Sequence, residues 1–127
     1  MLLLDLIPQS SNETKQWSGG ITKQILIDPN GALFRQNNFR LRISQADVEV
    51  EESDFSYMEG IQRAFILLQA TSPSRKFELS IGKNIKFQEI KPFNVYSFSG
   101  EDPVKSRGKC KDFNVLFLSK IKHSKKS

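Results

Sequence analysis

Two arginines are the residues of this chain best suited to chemistry. Arg42 alternates with apolar residues in Phe39-Arg40-Leu41-Arg42-Ile43-Ser44, and Arg63 follows Gly60 at the head of the apolar run Ile61 to Leu68. A guanidinium on a strand bound for the core is costly to bury without a partner. Its planar fork matches a carboxylate through two parallel hydrogen bonds. Two kinds of partner are open to it. Asp112 or Asn114 would make the arginines structural, as salt-bridged or barrel-rim residues; the carboxylate of a ligand would make them a binding site. Arg42 and Ser44 share one face of their strand, so both can point into the same cavity.

Other chemistries find less support. A transition-metal site needs several converging His, Cys or carboxylate ligands, whereas the one histidine, His123, sits among the terminal lysines. No metal and no cofactor are therefore expected. Cys110 lies between Lys109 and Lys111, whose ammonium groups would lower its thiol pKa. Lacking a partner histidine, it reads as an incidental surface or strand-edge thiol. No Ser-His-Asp or Cys-His set can be assembled, and Ser18-Gly19-Gly20 lacks the spacing of a nucleotide loop. Glu49, Glu51, Glu52 and Asp54 read as a solvated rim rather than a catalytic pair.

The elements that must position these residues are short. Apolar segments alternate with turn clusters: Leu2 to Ile7, Ile21 to Ile27, Phe39 to Ser44, Ala46 to Val50, Ile61 to Leu68, Phe77 to Ile81, Ile85 to Ile90, Val95 to Phe98 and Phe113 to Ile121. Pro8 to Gly20 reads as a polar loop carrying Trp17, and Glu51 to Asp54 as an acidic turn. Asp28-Pro29-Asn30-Gly31 and Gly82-Lys83-Asn84 are turn signals. Ile61 to Leu68 is apolar on both faces apart from Gln62 and Arg63, which marks a central strand. About nine strands without a capped helical repeat predict an all-β sandwich or barrel. Ten phenylalanines in 127 residues suit such a core, since Phe favours strands and fills wide interiors.

The net charge of +5 suggests nucleic acid until it is located. Lys120, Lys122, Lys125 and Lys126 crowd the last eight residues, and without them 15 basic residues face 14 acidic ones. The chain thus divides into one nearly neutral domain, residues 1–118, and a basic tail, 119–127. The tail reads as a solvated end, not a phosphate-binding arm. A single cysteine excludes an intrachain disulfide and favours a reducing compartment. The first eight residues lack the basic start of a signal peptide, and Asp5 and Pro8 interrupt them. No run approaches the roughly 18 apolar residues of a membrane span. A cytoplasmic location is expected.

Several motifs in series carry a resemblance. Trp17, Gly19, Gly20, Thr22 and Lys23 come first, followed by Arg42, Ile43 and Ser44. Phe55 and Ser56 then lead to Gly60 and Arg63, and Phe98, Gly100 and Glu101 precede Asp112-Phe113-Asn114-Val115. In this order the chain resembles the HutD/Ves family of small bacterial cytoplasmic proteins with a cupin-like β-barrel. Leu41 and Glu59 stand where the family has Trp and Pro. The resemblance implies a cupin-like sandwich or barrel without a catalytic metal. It also implies a link to histidine utilisation, through a regulatory role with an acylated glutamate-type ligand. The typical family chain is longer and has two cupin-like halves, so a half-length member is expected here, one that covers its open face by forming a homodimer.

The function expected is that of a non-catalytic, metal-free protein binding a small anionic metabolite. Arg42 and Arg63 would engage its carboxylate, and Trp17, Thr22, Ser44 and Asn114 would shape the pocket. The alternatives are an interaction module that pairs through a sheet edge without a ligand site, and a metal-independent isomerase or lyase using a carboxylate base.

Overall fold

The computed structural model describes residues 13–34 and 38–119. The expected strand Leu2 to Ile7, His123 and the lysine cluster lie outside these residues. The described chain is all-β, with ten strands. They are β1 (Glu13–Trp17), β2 (Gly20–Asp28), β3 (Leu41–Val48), β4 (Glu52–Asp54), β5 (Ile61–Ala70), β6 (Glu78–Ile81), β7 (Gln88–Glu89), β8 (Val95–Ser99), β9 (Val104–Arg107) and β10 (Cys110–Leu118). Six form one sheet in the order β1-β2-β3-β10-β5-β8, and four form a second in the order β4-β9-β6-β7. Every pairing is antiparallel.

The two sheets close on each other as a cupin-like sandwich. Phe65, Leu67, Phe98 and Cys110 of the large sheet pack with Leu79 and Val104 of the small one, joined by Phe77 and Ile90. A second apolar cluster, Ile27, Phe39, Met58, Ile61 and Leu116, fills the other end. Both clusters touch the inner face of β10, where Cys110 and Leu116 are buried. Asp112 and Asn114 lie between them on the same face, because alternate residues of a strand point the same way. A polar band thus crosses the middle of an otherwise apolar interior.

Several expectations need correction. Pro8 to Gly20 is not loop throughout: Glu13–Trp17 pairs with β2, closing a hairpin through Ser18 and Gly19. Glu52–Asp54 is not a turn but a short strand on β9. The strand expected over Ile85 to Ile90 contracts to Gln88–Glu89, because Ser80 Oγ binds the Ile85 carbonyl and Ile85 is half exposed. β9 was not foreseen; its inward Val104 and Ser106 alternate with exposed Lys105 and Arg107.

Candidate functional site

The site is built on the three central strands of the large sheet. β3 and β5 flank β10, and their register stacks the inward residues in rows. Arg42, Leu116 and Arg63 lie side by side, as do Ser44, Asn114 and Phe65, then Ala46, Asp112 and Leu67. On β2, Gln24 extends the Ser44 row and Thr22 the Ala46 row. An irregularity between Gln24 and Leu26 lets β2 keep its inward set in step with β3, as a bulge does. In β3 the polar face is the buried one: Arg42, Ser44 and Ala46 are covered while Leu41 and Ile43 are partly exposed.

These rows border a cavity of about 350 Å³ between the sheets. All six residues expected to form a site line it: Trp17, Thr22, Arg42, Ser44, Arg63 and Asn114. Asp112, Ser106 of β9, Phe55, Phe65 and Phe77 contribute to the same wall. Lys15 and Gln16 of β1 and Asp54 of β4 line it from solvent-exposed positions.

The two arginines are held differently. Arg42 Nε donates to Gln24 Oε1 at 2.8 Å, and its guanidinium lies 4.0 Å over the Phe34 ring. Arg63 Nη1 donates to the Ser56 carbonyl at 2.7 Å, with Phe55 and Phe98 at 5.2 and 5.9 Å from its Cζ. Aromatic faces stabilise a cation without neutralising it. Arg63 Nε is buried and meets no acceptor among the described residues. Burial pulls the Arg63 pKa down to about 10, against the opposing charge of Asp112. None of the ion pairs among the described residues includes Arg63.

Asp112 is therefore not the ion-pair partner that the sequence offered for the arginines. It is 1% exposed and accepts from Asn114 Nδ2 at 2.5 Å and Cys110 Sγ at 3.3 Å. Burial raises its pKa to about 7. The Cys110 and Asn114 donors and the Arg63 charge hold it down, while Asp47 pushes it further up. Cys110 is likewise not a surface thiol. It is 1% exposed within the core, and burial followed by the Asp112 charge drives its pKa upward, so it is no nucleophile. The flanking lysines face away from it, since neighbours in a strand point to opposite sides.

Glycines set the rim. The Trp17 ring lies so close over Gly19 that any Cβ there would strike it, and a Cβ at Gly20 would strike the Asp47 carbonyl. Gly20 has φ +151°, a conformation reserved for glycine. Across the molecule, the Gly60 amide donates to Glu101 Oε2 at 2.9 Å, and the Gly100 amide to the Ile61 carbonyl at 2.6 Å. The Gly-Glu turn thus anchors the start of β5 and fixes Arg63. Among the described residues no three His, Cys, Asp or Glu side chains group to hold a metal, and no helix is long and apolar enough to cross a membrane.

Sequence reasoning missed Gln24, Phe34 and Ser106. Gln24 sits in a run of mixed character; it points inward by alternation with Gly20 and Thr22, ahead of the register shift in β2.

The HutD family model matches residues 9–125. No curated protein matches the sequence. HutD from Pseudomonas fluorescens SBW25, solved in a formate condition, shares the fold with a TM-score of 0.70 at 24% identity. The match covers 88% of this chain and 59% of that one. A conserved protein of unknown function from Pseudomonas aeruginosa PAO1 gives 0.69 at 23% identity, over 88% of this chain and 56% of the other. The chain thus spans less than two thirds of the length of these two proteins. Ectoine synthase from P. lautus gives 0.63 at 10% identity over 98% and 83%. At such identities the structural likeness establishes the cupin-like fold alone. The family model covers nearly the whole sequence, and on that ground the chain belongs to the HutD family.

Proposed function

We propose that this protein binds a small carboxylate-bearing metabolite in the cavity between its sheets, without a metal and without turning it over. The observation that carries this reading is Arg63: a largely buried guanidinium facing a cavity, desolvated, and not joined by an ion pair to any described acid. A carboxylate would supply the missing anion. Arg42, Ser44 and Asn114 stand in adjacent rows to receive the rest of the molecule, and Trp17 and Thr22 close the wall. A volume of about 350 Å³ lies at the small end of the range for ligand pockets. Membership of the HutD family extends the reading to a regulatory role in amino-acid utilisation, histidine first, with the ligand as the signal. The protein would work in the cytoplasm, as a homodimer.

Arg63→Gln tests this. Acetate and formate should raise the melting temperature of the wild type in proportion to the logarithm of their concentration and leave the variant unmoved. Without added anion the variant should lose no more than about 2 kcal/mol, the worth of its hydrogen bond to the Ser56 carbonyl and its through-space attraction to Asp112, since no direct buried ion pair is broken. A loss of 3 kcal/mol or more in anion-free buffer would instead make Arg63 structural.

One observation favours a second reading. Asp112 is a cavity-lining carboxyl with a pKa of about 7, where a general base works best. A metal-independent isomerase or lyase would use it to abstract a proton. Incubating the protein with carboxylates in D₂O and following their C–H signals by NMR separates the readings: exchange that Asp112→Asn abolishes would establish the enzyme.

A further inference from the structure

The cavity holds two opposite charges that offset each other only in part, through space and without direct contact. Arg63 donates to a backbone carbonyl and sits among aromatic rings. Asp112 takes its hydrogen bonds from an amide and a thiol. Both side chains line the same space, yet no ion pair joins them. Their rows are four residues apart along β10, roughly 13 Å at the rise of a strand, and the long arginine spans part of that gap.

Two desolvated charges of opposite sign are each costly alone. One occupant can satisfy both only if it is itself dipolar. We infer that Asp112 is a specificity-determining residue, which selects ligands carrying a carboxylate at one end and an N–H donor, ammonium above all, at the other. The inference rests on the anion-binding reading given above. It adds that the ligand class is amphoteric rather than purely acidic.

The geometry gives Asp112 the means. Each of its oxygens accepts one protein donor and keeps acceptor capacity, because a carboxylate offers about four lone-pair sites. Asn114 fixes the plane of the carboxylate from the next inward position of its own strand. The Ser106 hydroxyl, from the opposite sheet, lines the same cavity.

Matched probes isolate the effect: pentanoate against 5-aminopentanoate, and butyrate against 4-aminobutyrate, titrated by calorimetry at pH 8. The wild type should bind the amino acids at least tenfold more tightly than the plain acids. In Asp112→Asn that ratio should fall to about one. Should this variant fail to fold, the pH profile of the wild type serves instead. The ammonium preference should shrink as pH falls through about 7, where Asp112 takes up a proton. The other titratable groups around it are the neutral Cys110 thiol on its own strand, Asp47 on β3 and Arg63 on β5, with Lys15, Arg42 and Asp54 along the cavity wall.

Equal affinity for plain and amino acids at pH 8 would overturn the inference, while loss of both in Arg63→Gln would leave the anion site standing. Failure of all four probes to bind would overturn both. A preference for the amino acids that survives at pH 5, or in Asp112→Asn, would assign it to another residue and also defeat the inference.

Discussion

At the scale of single residues, the interior of this protein works against its own stability. Asp112 is a carboxyl whose folded pKa, about 7, lies above its ordinary value of 3.8. Such an acid takes up a proton on folding, so the unfolded state binds fewer protons between the two values, and stability falls as pH rises. The contribution is full below about pH 4 and lost as pH passes through about 7. Asp112→Asn removes this slope. By urea titration the variant should match the wild type near pH 4 and exceed it at pH 8 by a few kcal/mol. A difference that does not change with pH would mean that Asp112 is already well satisfied when ionised. Natural proteins keep such costs where function needs them, which is why Asp112 and Arg63 are read together as a site and not as two defects.

These residues were unevenly legible. The guanidinium of Arg42 or Arg63 on an apolar strand stands out because burial without a partner is costly. Asp112 could be noticed only as a partner for those arginines, since nothing in Cys110-Lys111-Asp112-Phe113-Asn114 shows that its carboxylate would be held by its own strand neighbours. Cys110 was misplaced for the same reason: its sequence neighbours are lysines, whereas its spatial neighbours are Phe65, Leu67 and Val104.

At the scale of elements, the Trp-Ser-Gly-Gly hairpin supports one wall of the cavity. β1 bears Lys15, Gln16 and Trp17, pairs only with β2 among the described residues, and depends on its turn for position. Glu49 donates its amide to the Gly19 carbonyl at 2.7 Å, tying that turn to the end of β3. Gly20→Ala puts a methyl group against the Asp47 carbonyl and holds alanine at φ +151°. The variant should lose roughly 2 kcal/mol or more and bind acetate less tightly, both measurable in one thermal-shift series. Normal stability with normal binding would show that the turn tolerates rearrangement. The strands that sequence reasoning placed, such as Ile61 to Leu68 within β5, carry strong apolar patterns. Those it missed carry none: β1 is polar and exposed, β4 is acidic, and β9 presents only Val104 and Ser106 inward. Short edge elements form because a neighbour offers hydrogen bonds, and that neighbour is distant in sequence.

At the scale of the whole molecule, the large sheet ends at β8. Among the described residues β8 has a neighbour on one side only. Its Val95 is 61% exposed, and Phe93, just before it, is 73% exposed at φ +69°. A bulky residue in that conformation and that much in water is unusual. The strand Val-Tyr-Ser-Phe-Ser contains no lysine or proline to block pairing, the devices that usually protect an edge. Two copies of one strand related by a two-fold axis are complementary to each other. The homodimer proposed above would therefore pair through β8, covering Phe93 and Val95. Light scattering should give about twice the chain mass of 14.5 kDa, and Val95→Lys should return it to one chain mass. Neither Val95 nor Phe93 lines the cavity, so acetate should still stabilise that variant. A wild type that scatters as a single chain at every accessible concentration would defeat the dimer and leave the ligand site untouched, because every residue proposed for that site comes from one copy.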